Sequence, residues 1–262
     1  MSLETFNNIG LIWYIVLFVA SLIGGFVGSL SGGAGMITMP LLLLSGISPL
    51  QALATNKLQA CFGSFTSAAH YYHEGLVDLR KSRICIFIAI IFSSIGAISV
   101  QFAPLDFLAK ILPFAMICLG IYFLFAPNIS HQQQAKTPKI TLLYICCALA
   151  SLYGGLLGVG IGSFILAMFV GVAGYGLSQA LAHSRWIAFS INLSSALLFV
   201  IGGNVLWILG ILMCFGQIIG ATLGAKLAIK HGARIIRPVV IFLCFTLSLQ
   251  LIIKEFFEIS LF

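Results

Sequence analysis

Apolar stretches of around 20 residues follow one another along this chain, broken only by short polar or glycine-rich joints. A bilayer core about 30 Å thick takes around 20 apolar residues per crossing helix, so the pattern predicts an all-α polytopic membrane protein. Composition agrees: 7% of residues are charged and 61% hydrophobic, against roughly 25% charged in a soluble domain, which no water-facing surface could accommodate. With Pro, Gly and charge as punctuation, helices are expected at about 10–31, 36–46, 49–73, 82–102, 105–126, 140–161, 163–173, 178–203, 205–229 and 233–256.

The segments 36–46 and 163–173 are too short to cross unaided, so eight to ten full crossings are expected. Each follows a glycine-dense run, Gly24 to Gly35 in one case and Gly154 to Gly162 in the other. The extended polar linker 128–139 lies between them and divides the chain into a first repeat, 1–127, and a second, 140–262. Setting Gly33–Gly35 on Gly160–Gly162 superposes the glycine runs. With one extra residue, Gln51-Ala52-Leu53-Ala54 then falls on the identical Gln179-Ala180-Leu181-Ala182, and Lys57 falls on Arg185.

Loop charge orients the two copies. Arg80, Lys81 and Arg83 form one basic cluster; Lys226, Lys230, Arg234 and Arg237 form another; Lys136 and Lys139 lie in the linker. The positive-inside rule places all three in the cytoplasm, which requires an odd number of segments per copy. The expectation is therefore two inverted repeats of about five segments each, both termini outside, a plan recurrent in secondary transporters. Only Glu4 is charged before the first apolar stretch, so a retained first helix is expected rather than a cleaved signal peptide.

The net charge of +7 resides in these short clusters, without a basic face interleaved with aromatics, which argues against nucleic acid as a partner. Cys61, Cys85, Cys118, Cys146, Cys147, Cys214 and Cys244 all lie in apolar stretches without a CxxC and read as small hydrophobes. His70, His73 and Glu74 could ligate a metal by spacing. Their position beside Tyr71 and Tyr72 at a helix end favours an interfacial cap, and neither metal nor cofactor is expected.

Lys57 and Arg185 carry the functional signal. A cation inside a membrane helix costs from about 2.5 to more than 10 kcal/mol and survives when paired or hydrated. Ser48-Pro49 is a helix start, which puts Lys57 about 12 Å into its helix at about 1.5 Å per residue. Arg185 lies at a similar depth from Ser178, and neither has an evident acidic partner. Ser64 and Asn192 sit two turns further along the same faces. Thr55, Asn56, Gln59, His183 and Ser184 add hydrogen-bonding groups. Gly33, Gly35, Gly160 and Gly162 would offer backbone N–H groups at short-helix N-termini near Met36 and Ser163, which favour an anion. The bland alternatives are snorkelling cations and glycines that serve close packing.

The run GSLSGGAGMITMPLLLLSGISPLQALATNKLQACFGS, residues 28 to 64, resembles the signature of the TauE/SafE sulfite-exporter family, also called the 4-toluene sulfonate uptake permeases. Gly154 to Asn192 resembles that family's weaker second copy. The resemblance implies a multi-pass transporter of sulfur-containing anions such as sulfite, sulfonates, sulfoacetate or thiosulfate in a prokaryotic cytoplasmic (inner) membrane. Two departures stand out: the glycine run reads Ser31-Gly32-Gly33-Ala34-Gly35 where the family tends to GVGGG, and Ala167 replaces a proline.

An anion transporter, not an enzyme, is thus the expected function. A passive anion channel would share the site. An intramembrane hydrolase would need Ser29 or Ser31 near His183, and no intramembrane carboxylate is available to orient that base. His183 could couple transport to protons, since its unperturbed pKa is about 6.5. Direct use of ATP would need a partner subunit, and a homo-oligomer is compatible with the sequence.

Overall fold

The computed structural model describes residues 10–125 and 140–231, with backbone alone at 116–125 and 230–231. The linker, the tenth segment at 233–256, Arg234, Arg237, Cys244 and the Cys118 side chain lie outside the described residues. Within them the helices are α1 (Leu11–Ser31), α2 (Ala34–Leu44), α3 (Pro49–His73), α4 (Leu79–Gln101), α5 (Leu105–Phe125), α6 (Ile140–Leu156), α7 (Ile161–Gly171), α8 (Leu177–Ile201) and α9 (Trp207–His231). Every regular element described is helical, and the long, short, 25-residue succession of α1–α3 recurs in α6–α8.

Local chemistry sets the ends. Ser48 caps α3 by accepting from Gln51 N at 3.4 Å, with Pro49 in the first turn. Asp78 caps α4 by accepting from Arg80 N at 3.0 Å, so Arg80 and Lys81 belong to the helix and α4 begins at Leu79 rather than 82. α1 ends where Gly32 turns left-handed at φ 90° and returns its N–H to Gly28 O at 2.8 Å. α6 stops at Leu156 rather than 161 because Gly158, at φ 74°, lies in a region no right-handed helix includes. The short helices accordingly start at Ala34 and Ile161, two residues ahead of the expected Met36 and Ser163.

Polar and apolar surfaces are arranged inside out relative to a soluble protein. Phe87, Ile91, Leu197, Ile208 and Phe215 are exposed, whereas Thr38, Thr55, Asn56, Lys57, Gln59, Arg185 and Gln217 are buried. Such a surface suits hydrocarbon. Among the described residues, four helices are long and apolar enough to cross a membrane: Leu11–Ser31, Leu79–Gln101, Leu177–Ile201 and Trp207–Ile229. α3 has the length but carries too many polar groups, and it spends them on the interior.

α1 packs along α9 and α6 along α4, while α3 crosses α8 near the centre. Small residues bring these backbones together. A Cβ on Gly220 or Gly224 would run into the main chain of α1, and one on Gly96 or Gly155 would run into the partner main chain in the α4–α6 pair.

Candidate functional site

α3 and α8 each place one cation at the centre of the bundle. Lys57 is 1% exposed and Arg185 3%. Lys57 Nζ donates to Gly154 O in the last turn of α6, and Arg185 Nη1 donates to Gly28 O in the last turn of α1. Arg185 also uses Nη2 on Gly162 O at 3.1 Å, and Nη2 and Nε on Ser184 Oγ at 3.1 and 3.3 Å. A guanidinium has five N–H groups, so these four contacts leave one over.

Last-turn carbonyls are the negative end of a helix dipole, which gives each cation a partner without a carboxylate. Among the described residues the single ion pair is the exposed Lys81–Asp78 contact at 4.0 Å.

The glycine runs meet back to back. A Cβ on Gly32 would lie 2.7 Å from Gly162 Cα, so only glycine permits this approach. Ser163 Oγ donates to Ser31 O across the same junction at 2.5 Å. A narrow cavity of about 40 Å³ opens beside it. Backbone of Gly28, Gly32, Gly35, Gly158 and Gly162 forms part of its wall, and Asn56, Ser64, Arg185, Asn192 and Gln217 bring side chains to it. Gly35 and Gly162 occupy the first turns of α2 and α7, where N–H groups have no intrahelical acceptor. Lys57 stands one layer back: a Cβ on Gly158 would collide with its Nζ.

The remaining residues singled out in the sequence separate into groups. Asn192 Nδ2 reaches Ser64 Oγ at 3.5 Å across the cavity. Gln59 is fully buried beside Asn56, bonded to it at 2.9 Å. Ser184 braces Arg185. Gly33 and Gly160 cap α2 and α7 and do not line the cavity. Thr55 turns away, accepting from Leu206 N at 3.2 Å just before α9. His183 is not brought to the cavity. Its Nδ1 pairs with Ser82 Oγ at 2.5 Å, and it lines a second cavity of about 230 Å³ with Asp78, Lys81, Tyr175 and Gln179. Ser29 and Ser31 donate to Phe26 O and Val27 O of their own helix, so neither is the serine that pairs with His183.

Gln217 was not anticipated. An amide in the middle of an apolar α9 segment was the available signal, hidden by its lack of a counterpart in the other half.

A helical bundle with an apolar exterior and a polar cavity lined by a buried arginine defines an integral membrane protein, and its relatives place it in the transporter class. The chain belongs to the TauE/SafE family: the family model described as Sulfite exporter TauE/SafE matches residues 17–251. It is 35% identical over 254 residues to the probable membrane transporter protein YfcA of Escherichia coli, covering 95% of this chain and 94% of that one. It is 38% identical over 238 residues to a probable membrane transporter protein of Sinorhizobium, with 90% and 91% covered. To a probable membrane transporter protein of Haemophilus influenzae it is 32% identical over 249 residues, with 95% and 98% covered. No solved structure matches the chain.

Proposed function

We propose that this protein is a secondary transporter that moves a small sulfur-containing anion by alternating access at the cavity between two inverted repeats. Sulfite, a sulfonate, sulfoacetate and thiosulfate share the required chemistry, compact negative charge spread over oxygens. The observation that carries the reading is the buried Arg185 guanidinium on a cavity wall that, among the described residues, contains no carboxylate. Charge-assisted hydrogen bonds to oxyanions are the strong ones, and free N–H groups at the starts of α2 and α7 add donors at the same wall.

The inverted-repeat reading is supported by the exchange of contacts. α1 rests on α9 as α6 rests on α4, and α3 crosses α8, its own counterpart. The transporter names of the family and its relatives support the class. Bacterial relatives and the basic clusters support a prokaryotic inner membrane with Arg80, Lys81 and Arg83 in the cytoplasm. Protons are the coupling ion in this scheme, with His183 as the group that exchanges them.

Reconstitution into liposomes tests the reading. Sulfite uptake should appear with the wild type, compete with the other anions, show counterflow, and collapse in Lys57→Ala and Arg185→Ala. Wild-type uptake in both variants would remove the site assignment, and flux without counterflow would indicate a channel instead.

A further inference from the structure

Gln217 lies in α9 between Gly216 and Ile218 and is 1% exposed. A buried carboxamide needs partners for two donors and a carbonyl, or it costs the fold the missing bonds. Room for it has been built by two other helices. A Cβ on Gly63 of α3 would run into Gln217 Oε1, and one on Gly24 of α1 would lie 3.3 Å from its Nε2.

From this slot a chain of hydrogen bonds leads to the cavity. Gln217 Nε2 donates to Gln59 Oε1 at 3.3 Å and Gln59 Nε2 donates to Asn56 Oδ1 at 2.9 Å; Thr38 Oγ1 lies 2.7 Å from the same Oδ1 and 3.2 Å from Ala34 O, and its one O–H takes the shorter contact, to Asn56. The polarity of the chain decides what Asn56 shows to a ligand. Its carbonyl oxygen has two lone pairs and both are taken. What remains is the Nδ2 amide, at the wall beside Gly35, where a Cβ would stand 3.4 Å from it.

We propose that Gln217 is a positioning residue for the central site. Acting through Gln59, it holds the Asn56 carboxamide with its oxygen turned to the protein and its N–H groups turned to the cavity. At its own stretch of the wall Asn56 then offers donors only, beside the Arg185 guanidinium, which favours an ionised oxyanion over a cation. This rests on the reading of the cavity as an anion site. The relay is present once: the correspondence that sets Lys57 on Arg185 sets Gln217 on Ala89 and Gln59 on Ile187, neither of which can continue it.

A double-mutant cycle on sulfite binding, measured by calorimetry on the purified full chain, tests the proposal. Gln217→Met keeps the side-chain length without a donor, and Asn56→Ala removes the group on which Gln217 acts. Each single change should raise the sulfite Kd about tenfold or more, the scale of a lost hydrogen bond to a charged group. The double variant should bind no worse than Asn56→Ala alone. Wild-type affinity in Gln217→Met, or losses that multiply in the double variant, would overturn the relay while leaving the anion reading in place. Absence of binding of sulfite, thiosulfate and a sulfonate by folded wild-type protein would overturn both. Thr38→Val enters the same relay from its other end and should weaken binding, with Thr38→Ser restoring it. That pair decides the matter should Gln217→Met not fold.

Discussion

Lys57 and Arg185 form a reciprocal brace: each leaves its own half of the chain and ends on a last-turn carbonyl of the other, Lys57 on Gly154 O and Arg185 on Gly28 O. The two are not equivalent in chemistry. Arg185 spans Gly28 O, Gly162 O and Ser184 Oγ with a planar fork, whereas an ammonium is a compact point charge on a flexible stem. Arg185→Lys should therefore keep the charge and lose the positioning, with sulfite uptake falling at least about tenfold. Initial rates in proteoliposomes, against protein matched for incorporation, measure it. Uptake equal to wild type would mean that charge alone suffices.

The back-to-back contact of the glycine runs gives a stability prediction. In Gly32→Ala the new methyl would meet the α7 main chain at Gly162, and the residue would be forced to keep φ 90°. Left-handed backbone costs a non-glycine residue about 1–2 kcal/mol, before any displacement of main chain. Gly171→Ala is the control, since nothing lies within 4 Å of its Cβ position. Thermal melts in detergent should show Gly32→Ala strongly destabilised and Gly171→Ala unchanged or slightly more stable. Similar melts for the two would show that the junction yields.

Much of this was legible because membrane burial leaves coarse marks. Apolar length, punctuating glycines and Ser48-Pro49 locate helices to within a few residues, and a cation in an apolar run is expensive enough to stand out. Helix ends set by backbone conformation were harder: nothing in the composition of 154–162 shows that Gly158 takes a positive φ and Gly162 does not. Side-chain direction was harder still. Thr55, Asn56 and Gln59 are close in sequence, but successive positions on a helix point about 100° apart. One bonds to the residue before α9, one reaches the cavity and one links Asn56 to Gln217.

His183 lets coupling be separated from binding, because it faces Ser82, Tyr175 and the cavity beside Lys81 rather than the central one. His183→Asn retains a hydrogen-bonding group of similar reach. Sulfite affinity should stay within about twofold of wild type, since no bond of the central site is lost. Uptake driven by an imposed pH gradient should lose its dependence on that gradient. A large drop in affinity, or gradient-driven uptake that persists unchanged, would exclude His183 as the coupling group.

Thr55 and Asn56 are neighbours that should fail in different ways. Thr55 Oγ1 accepts from Leu206 N, so Thr55→Val leaves a buried backbone N–H without its partner while the cavity wall stays intact. An unsatisfied buried donor costs about 1–3 kcal/mol, which should appear as a lower melting temperature with sulfite Kd unchanged. Asn56→Asp keeps the shape of the side chain and replaces its N–H groups with an acceptor carrying negative charge. It lies on the wall that Arg185 also lines, so it should abolish sulfite binding, and the ionised carboxylate should draw Arg185 toward itself. Raising the measurement to higher salt should not restore binding, because a buried pair is poorly screened. The two losses should thus appear in separate measurements. If Thr55→Val instead weakens binding at unchanged melting temperature, then Thr55 acts on the ligand and the assignment of the ATNKLQ run, Ala54 to Gln59, must be redrawn.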